Sequence, residues 1–198
     1  MIKAIVLRCG ALLMTAIASS SVASAQEVGK AEIHNQVASG NLESLHKLGC
    51  IPLTKASPEY NPVDLYRGAK VCLDAGRLQD AFALVSLANV YGRFDMLRVA
   101  DTTAHQAVAV ARMEVFSETP DAVKQEFSDL AAKNMSNSVQ HAELCRAVQA
   151  LGAPTYNPRY MVQHGMMAFM QRSGDGLVKD FDRTKAWSDV LTSYLKCV

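Results

Sequence analysis

Residues 61–92 read NPVDLYRGAKVCLDAGRLQDAFALVSLANVYG, and this stretch has the pattern of two helices joined by a short turn. Asn61 and Pro62 are typical of a helix start, because asparagine accepts a backbone N–H of the first turn and proline lacks only a donor that would be unpaired there. Apolar residues recur at helical spacing before and after the turn at DAGRLQ. They are Leu65, Ala69, Cys72 and Leu73 before it, and Leu78, Ala81, Phe82, Val85 and Ala88 after it. The stretch therefore predicts a helical hairpin.

The rest of the chain also has helical spacing, which continues from 95 to 115, and lacks the sustained alternation of strands. Further helix starts are expected at Asn41, Thr119-Pro120 and Asn157-Pro158. Helix ends are expected at Gly40, Gly49, Gly76, Gly92 and Gly152. We expect an all-α fold, with helical hairpins packed as a small bundle or a short repeat-like array.

One proline-bracketed phrase occurs twice, as PEYNP at 58–62 and PTYNP at 154–158. In each case a cysteine precedes the phrase, and a helix, a glycine-containing turn and a second helix are expected to follow it. The repeat suggests two related units, at about 41–92 and 136–198, within one domain. Chance recurrence of two ordinary helix starts is the alternative.

The segment GDGLVKDFDRTKAW, residues 174–187, resembles the turn and second helix of Sel-like repeats, which are relatives of tetratricopeptide repeats. The residues that match that pattern are Gly174, Gly176, Leu177, Asp180 and Trp187. Thr184 departs from it, because a small alanine is usual there. The resemblance implies a helical scaffold that binds other proteins.

The first 25 residues have the pattern of a secretory signal peptide. Lys3 and Arg8 provide the positive start, residues 9–18 are largely apolar, and Ala23-Ser24-Ala25 forms an A-x-A cleavage site before Gln26. We expect residues 26–198 to form a single helical domain, periplasmic or secreted, with no integral membrane segment after cleavage.

Charge argues against a nucleic-acid partner. The chain has 20 Lys and Arg against 19 Asp and Glu, and cleavage would remove two of the basic residues. The basic residues are scattered singly along the chain, so the sequence predicts no basic footprint for nucleic acid or an anionic membrane.

Cysteine usage agrees with export. Cleavage would remove Cys9 and leave four cysteines, an even number that favours two disulfides with three possible pairings. We predict the pairs Cys50–Cys72 and Cys145–Cys197, because each then links the segment ahead of a YNP phrase to the unit that follows it.

Few residues of the sequence are candidates for catalysis or metal binding, and no recognisable catalytic or phosphate-binding motif is present. Asp101 and His105 stand four apart and could share a proton or a metal, although a surface pair is the commoner meaning of that spacing. Met161, His164 and Met167 would share a broad helical face, and their thioether and imidazole groups suit Cu(I). The alternative is that the methionines fill the core.

The sequence favours an exported binding module without catalytic activity or cofactor. Its partner would be another protein, and the class includes immunity or inhibitor proteins against bacterial toxins. The candidate anchors are Tyr60, Tyr156 and Trp187, although a tyrosine before a helix cap can also pack on its own helix. The alternatives are a cell-envelope hydrolase that uses two dispersed carboxylates and a copper-binding protein.

Overall fold

The computed structural model describes residues 37–170 and 174–197, and the expected signal peptide lies outside these residues. The α-helices are α1 (Pro62–Asp74), α2 (Leu78–Arg98), α3 (Ala107–Phe116), α4 (Asp121–Ser136), α5 (Ser138–Leu151), α6 (Arg159–Val162) and α7 (Arg183–Asp189). Extended pairing in the described ranges is limited to one isolated bridge, between Val99 and Leu177. The all-α prediction is confirmed. None of the helices in these ranges is both long enough and apolar enough to cross a bilayer.

Helix α2 is the centre of the fold. It packs along α1 as the predicted hairpin and also contacts α4 and α7. Its buried side chains point in all directions around the helix, as expected of a helix surrounded by others. They include Ala81, Phe82, Leu84, Val85, Leu87, Ala88, Val90, Tyr91 and Phe94. The core is therefore built around the second helix of the predicted hairpin, which continues past the expected end at Gly92 to Arg98.

The start of α1 confirms the first predicted cap. The side chain of Asn61 accepts a hydrogen bond from the backbone N–H of Asp64 at 2.9 Å, and the Asp64 carboxylate accepts one from the Asn61 N–H at 3.0 Å. This reciprocal arrangement is a capping box, and Pro62 occupies the first helical position. The Asn61 amide also donates to the carbonyl of Glu43 at 2.9 Å.

Replacing Asn61 with alanine is expected to lower the free energy of unfolding by about 1–2 kcal/mol, because the cap is lost in a buried position. Urea-induced unfolding would measure the change. Asn157→Ala is the matched control, since that exposed asparagine makes no cap; we expect a change below about 0.5 kcal/mol. Equal losses for the two variants would contradict a capping role that belongs to Asn61 and not to Asn157.

The helix expected after Asn41 does not form. Residues 43–49 lie without regular structure, and part of this segment crosses the start of α1. Asp64 is buried there and accepts hydrogen bonds from the backbone N–H groups of Leu45 and His46 at 2.7 and 2.9 Å and from the Ser44 hydroxyl at 2.7 Å. One carboxylate thus satisfies backbone donors that a helix would have paired internally.

The helical spacing from 95 to 115 also overstates the helix. Helix α2 ends at Arg98, a short 3-10 helix spans Thr102–Gln106, and α3 begins only at Ala107. The Asp101 side chain caps the 3-10 helix by accepting from the Thr103 N–H. Conversely, Gly92 does not end a helix but lies inside α2. Glycine is required there by packing, because a Cβ would stand 2.7 Å from a methyl group of Val108.

The second YNP phrase starts no long helix, contrary to prediction. Pro158 precedes a single turn, α6, and the side chain of Asn157 does not cap it. The two phrases nevertheless lie side by side, because the N–H of Thr155 donates to the carbonyl of Pro58 at 2.8 Å. The same YNP sequence therefore precedes a long capped helix in one place and a single uncapped turn in the other. The proposed duplication remains a prediction.

Both predicted disulfides are present. Cys50–Cys72 ties the segment before α1 to that helix, and Cys145–Cys197 ties α5 to the end of the chain. The chain reaches Cys197 through α7 and a π-helical turn at Val190–Tyr194. Two disulfides are typical of proteins that fold outside the reducing cytoplasm.

Candidate functional site

A buried polar network lies between α2 and the second YNP phrase. Asp95 is fully buried and receives hydrogen bonds from the hydroxyls of Tyr156 and Tyr160 at 2.7 and 2.8 Å. Arg98 pairs with the same carboxylate at 2.7 Å and also donates to the carbonyl of Tyr156 at 3.0 Å. Tyr156 therefore belongs to the core, and its burial removes it from the candidate surface anchors.

Ionisation in this network follows from burial. Burial raises the pKa of Asp95, while Arg98 and the two tyrosine hydroxyls oppose that rise. Burial, followed by the negative charge of Asp95, raises the pKa values of Tyr156 and Tyr160 well above their usual value. Both hydroxyls therefore remain protonated donors at physiological pH. The network holds the second YNP phrase on α2 and offers no exposed reactive group.

The other two predicted anchors are half-buried. The ring of Tyr60 lies 5.1 Å from the ring of His46, centroid to centroid, beside the start of α1. Trp187 packs at 6.0 Å from the rings of both Tyr91 and Phe94. Each side chain thus has a packing role within the fold, and the structure does not bring Tyr60, Tyr156 and Trp187 together on one surface.

The predicted copper ligands do not share a helix. Met161 is fully buried at the end of α6, whereas Met167 belongs to a separate 3-10 helix at Met166–Phe169. His164 lies between them, and its Nδ1 is 2.8 Å from the Oδ1 of Asn41. Burial lowers the pKa of His164. Within the described residues, no group of three or more His, Cys, Asp or Glu side chains is placed to hold a metal ion.

The short 3-10 helix at Met166–Phe169 and the residue after it present three large apolar side chains to solvent. Met166, Phe169 and Met170 are 62%, 46% and 56% exposed, and we call them the Met–Phe turn. In a 3-10 helix, positions i and i+3 lie on the same side, so Met166 and Phe169 project together. The three side chains form a candidate interaction surface, because contiguous exposed apolar patches are typical of such surfaces.

The backbone of the Met–Phe turn is held firmly by the 3-10 helix that precedes α3. Asp101 accepts a hydrogen bond from the N–H of Met167 at 2.8 Å, and the Thr103 hydroxyl accepts one from the N–H of Met166 at 2.9 Å. Gly165 lies directly against this junction, where a Cβ would stand 2.2 Å from the Asp101 carboxylate. These contacts therefore fix the backbone from which the side chains of the Met–Phe turn project.

Asp101 has a structural role in this arrangement. Desolvation favours its neutral form, but the hydrogen bonds from Thr103 and Met167 and the nearby His105 outweigh it and lower the pKa of Asp101. The carboxylate therefore keeps its charge and its hydrogen bonds well below neutral pH. His105 itself lies 3.0 Å from the carbonyl of Val99 through its Nε2. The two side chains thus contact different loop groups, Asp101 at Thr103 and Met167, and His105 at Val99, and their hydrogen bonds do not join them as the pair that the spacing suggested.

A second surface feature is an open, mostly apolar groove of about 560 Å³ where α1, α2, α3 and α4 meet. Phe116 and Phe127 stack along it, with ring centroids 6.4 Å apart and planes inclined by 22°. The exposed Met113 stands at its edge, and the side chains of Arg112 and Lys124 also line it. We call this feature the α3–α4 groove.

Thr119 lies in the lining of the α3–α4 groove and does not cap α4 as the sequence predicted. Pro120 occupies the cap position instead, with no side-chain hydrogen bond. Thr119 is 3% exposed, and its Oγ1 has no hydrogen-bond partner among the described residues. A buried hydroxyl without a partner is uncommon, since most such groups are paired.

Sequence patterns did not identify the α3–α4 groove, because its lining comes from four separate helices and one loop. Helical spacing alone could not predict the exposure of Met166, Phe169 and Met170, because a continuous helix could equally have turned that face toward the core. No family model matches this chain, and comparisons with curated proteins and with solved structures find none that matches it.

Proposed function

We propose that this protein is an exported, non-catalytic module that binds another protein through the Met–Phe turn. The observation that carries the proposal is the exposure of Met166, Phe169 and Met170 on a backbone that Asp101 and Thr103 hold in place. Unless these side chains are covered by a partner, their exposure to water is unfavourable.

The chemistry of the Met–Phe turn favours a protein surface with apolar pockets. Methionine side chains are flexible and polarisable, so they adapt to irregular pockets, and phenylalanine supplies a large rigid contact. A fixed backbone reduces the ordering cost of binding. Bound to a partner, the Met–Phe turn would form the apolar centre of an interface.

An immunity or inhibitor protein is the finer function that we favour. Such a protein works by occlusion, so a stable scaffold, disulfides suited to an oxidising compartment and an exposed apolar contact are sufficient for it. The partner in that case is a bacterial toxin delivered to the cell envelope. This step is an analogy between functional classes.

Site-specific photo-crosslinking would test the proposal in the cell of origin. Benzoylphenylalanine at position 166 is expected to give an adduct of one defined mass, because the side chain would lie in the interface. Val139, on α5, is the matched control position, since Val139 and Met166 are 63% and 62% exposed. Mass spectrometry of the adduct would identify the partner, and a toxin would support the finer function.

The identified partner then provides a quantitative test. Met166→Glu and Phe169→Glu are each expected to weaken its binding at least about tenfold, because a charge would replace an apolar contact at the interface. Val139→Glu should leave the affinity unchanged, and all three variants should retain the helical circular dichroism spectrum. The proposal is wrong if positions 166 and 139 give the same adducts, or if the glutamate variants bind like the parent protein.

A further inference from the structure

The α3–α4 groove combines an apolar lining with polar groups that have a consistent chemistry. Val85 and Leu73 form part of its buried lining, and Phe116 and Phe127 provide aromatic walls. Its volume of about 560 Å³ lies within the range of about 300–1,000 Å³ that is usual for small-molecule sites. An aliphatic chain or ring would be well accommodated in such a lining.

The charged side chains of the α3–α4 groove favour a ligand with a negatively charged group. Arg112 and Lys124 line the groove, and none of the described lining residues is acidic. Asp121 pairs with Lys124 at 3.3 Å from outside the lining, which offsets part of the positive charge. A ligand with one carboxylate would complement the remaining charge, because the guanidinium of Arg112 can bind a carboxylate through two parallel hydrogen bonds.

Thr119 supplies a second, independent indication of a ligand. Its hydroxyl belongs to a groove-lining residue, is buried, and has no partner among the described residues. Leaving a buried hydroxyl unpaired is unfavourable, and rotation of the Thr119 side chain toward a ligand oxygen in the groove would relieve that cost.

We propose that the α3–α4 groove binds a small amphipathic carboxylate of the medium-chain fatty acid class. Its apolar chain contacts Phe116, Phe127 and Val85, and its carboxylate meets Arg112, with Lys124 and the Thr119 hydroxyl as further contacts. This site goes beyond the proposed protein interface, since its lining shares no residue with the Met–Phe turn.

Displacement of the fluorescent probe 1-anilinonaphthalene-8-sulfonate would test the site. The protein is produced from its full-length gene and used with both disulfides intact. We expect saturable probe binding and displacement by decanoate, with decanol at least about tenfold weaker because it lacks the charge. Failure of decanoate to displace the probe, or equal displacement by decanol, would overturn the proposal.

Two variants locate the interaction and separate binding from folding. Arg112→Gln should weaken decanoate binding at least about tenfold and leave decanol binding unchanged, whereas Arg146→Gln, at an exposed arginine of α5, should change neither. Thr119→Val should raise the melting temperature, because an unpaired buried hydroxyl is removed, and should weaken decanoate binding. A higher melting temperature with unchanged decanoate affinity, or equal effects of the two arginine variants, would contradict the assignment.

Discussion

Replacing Asp95 with alanine is expected to lower the free energy of unfolding by about 3–5 kcal/mol. Arg98 is only 7% exposed, so its charge would remain in the core without a carboxylate. The hydroxyls of Tyr156 and Tyr160 would lose their common acceptor as well. Urea-induced unfolding, followed by circular dichroism at neutral pH, measures the change.

Two further variants test the cause of this loss. Asp74→Ala removes an aspartate of an exposed ion pair with Lys70 and should cost less than about 0.5 kcal/mol. Adding Arg98→Met to Asp95→Ala should restore part of the stability, because the unpaired charge is removed. If the double variant is no more stable than Asp95→Ala alone, the unpaired charge of Arg98 does not cause the loss.

Removing the disulfide Cys145–Cys197 by alanine substitution is expected to cost about 4 kcal/mol, and removing Cys50–Cys72 about 3 kcal/mol. The order follows from sequence separations of 52 and 22 residues, because a longer closed loop restricts the unfolded chain more strongly. Urea unfolding of each double-alanine variant under non-reducing conditions would measure both values.

The reverse order of these two losses would contradict the loop-length argument. It would indicate that the stability lost from folded-state packing around Cys50 and Cys72 exceeds the difference in unfolded-chain entropy between the two loops. Cys72 is fully buried on α1, so the comparison includes the buried volume that each alanine pair removes. Mass spectrometry of the intact variants would verify that the remaining disulfide is formed in each.

Helix α1, helix α2 and the turn between them could be predicted from the sequence because the relevant interactions are local. The Asn61 cap, the proline after it and the apolar spacing act within a few residues of one another. The disulfide pairing could also be predicted, because each pair links the segment ahead of a YNP phrase to the unit that follows the phrase. These features determine an all-α fold around one buried hairpin.

Local patterns failed where partners distant in sequence compete for the backbone. The segment from Pro158 has helical spacing, yet Gly165 must approach Asp101 closely and the N–H of Met167 pairs with that carboxylate. Asp101 lies 66 residues before Met167, so no local rule could reveal the contact. The break separates Met161 from Met167, the predicted metal ligands, and leaves the Met–Phe turn exposed.

The sequence by itself determined the helical class, the first hairpin and the two disulfides of this protein. Only the tertiary structure decided that Tyr156 is a core residue, because its hydrogen-bond acceptor, Asp95, belongs to a helix 61 residues earlier. The tertiary structure likewise left the buried hydroxyl of Thr119, which lines a groove formed by four helices, without a partner among the described residues. Caps and helical faces depend on neighbours in sequence, whereas burial, pairing and exposure depend on which helices meet.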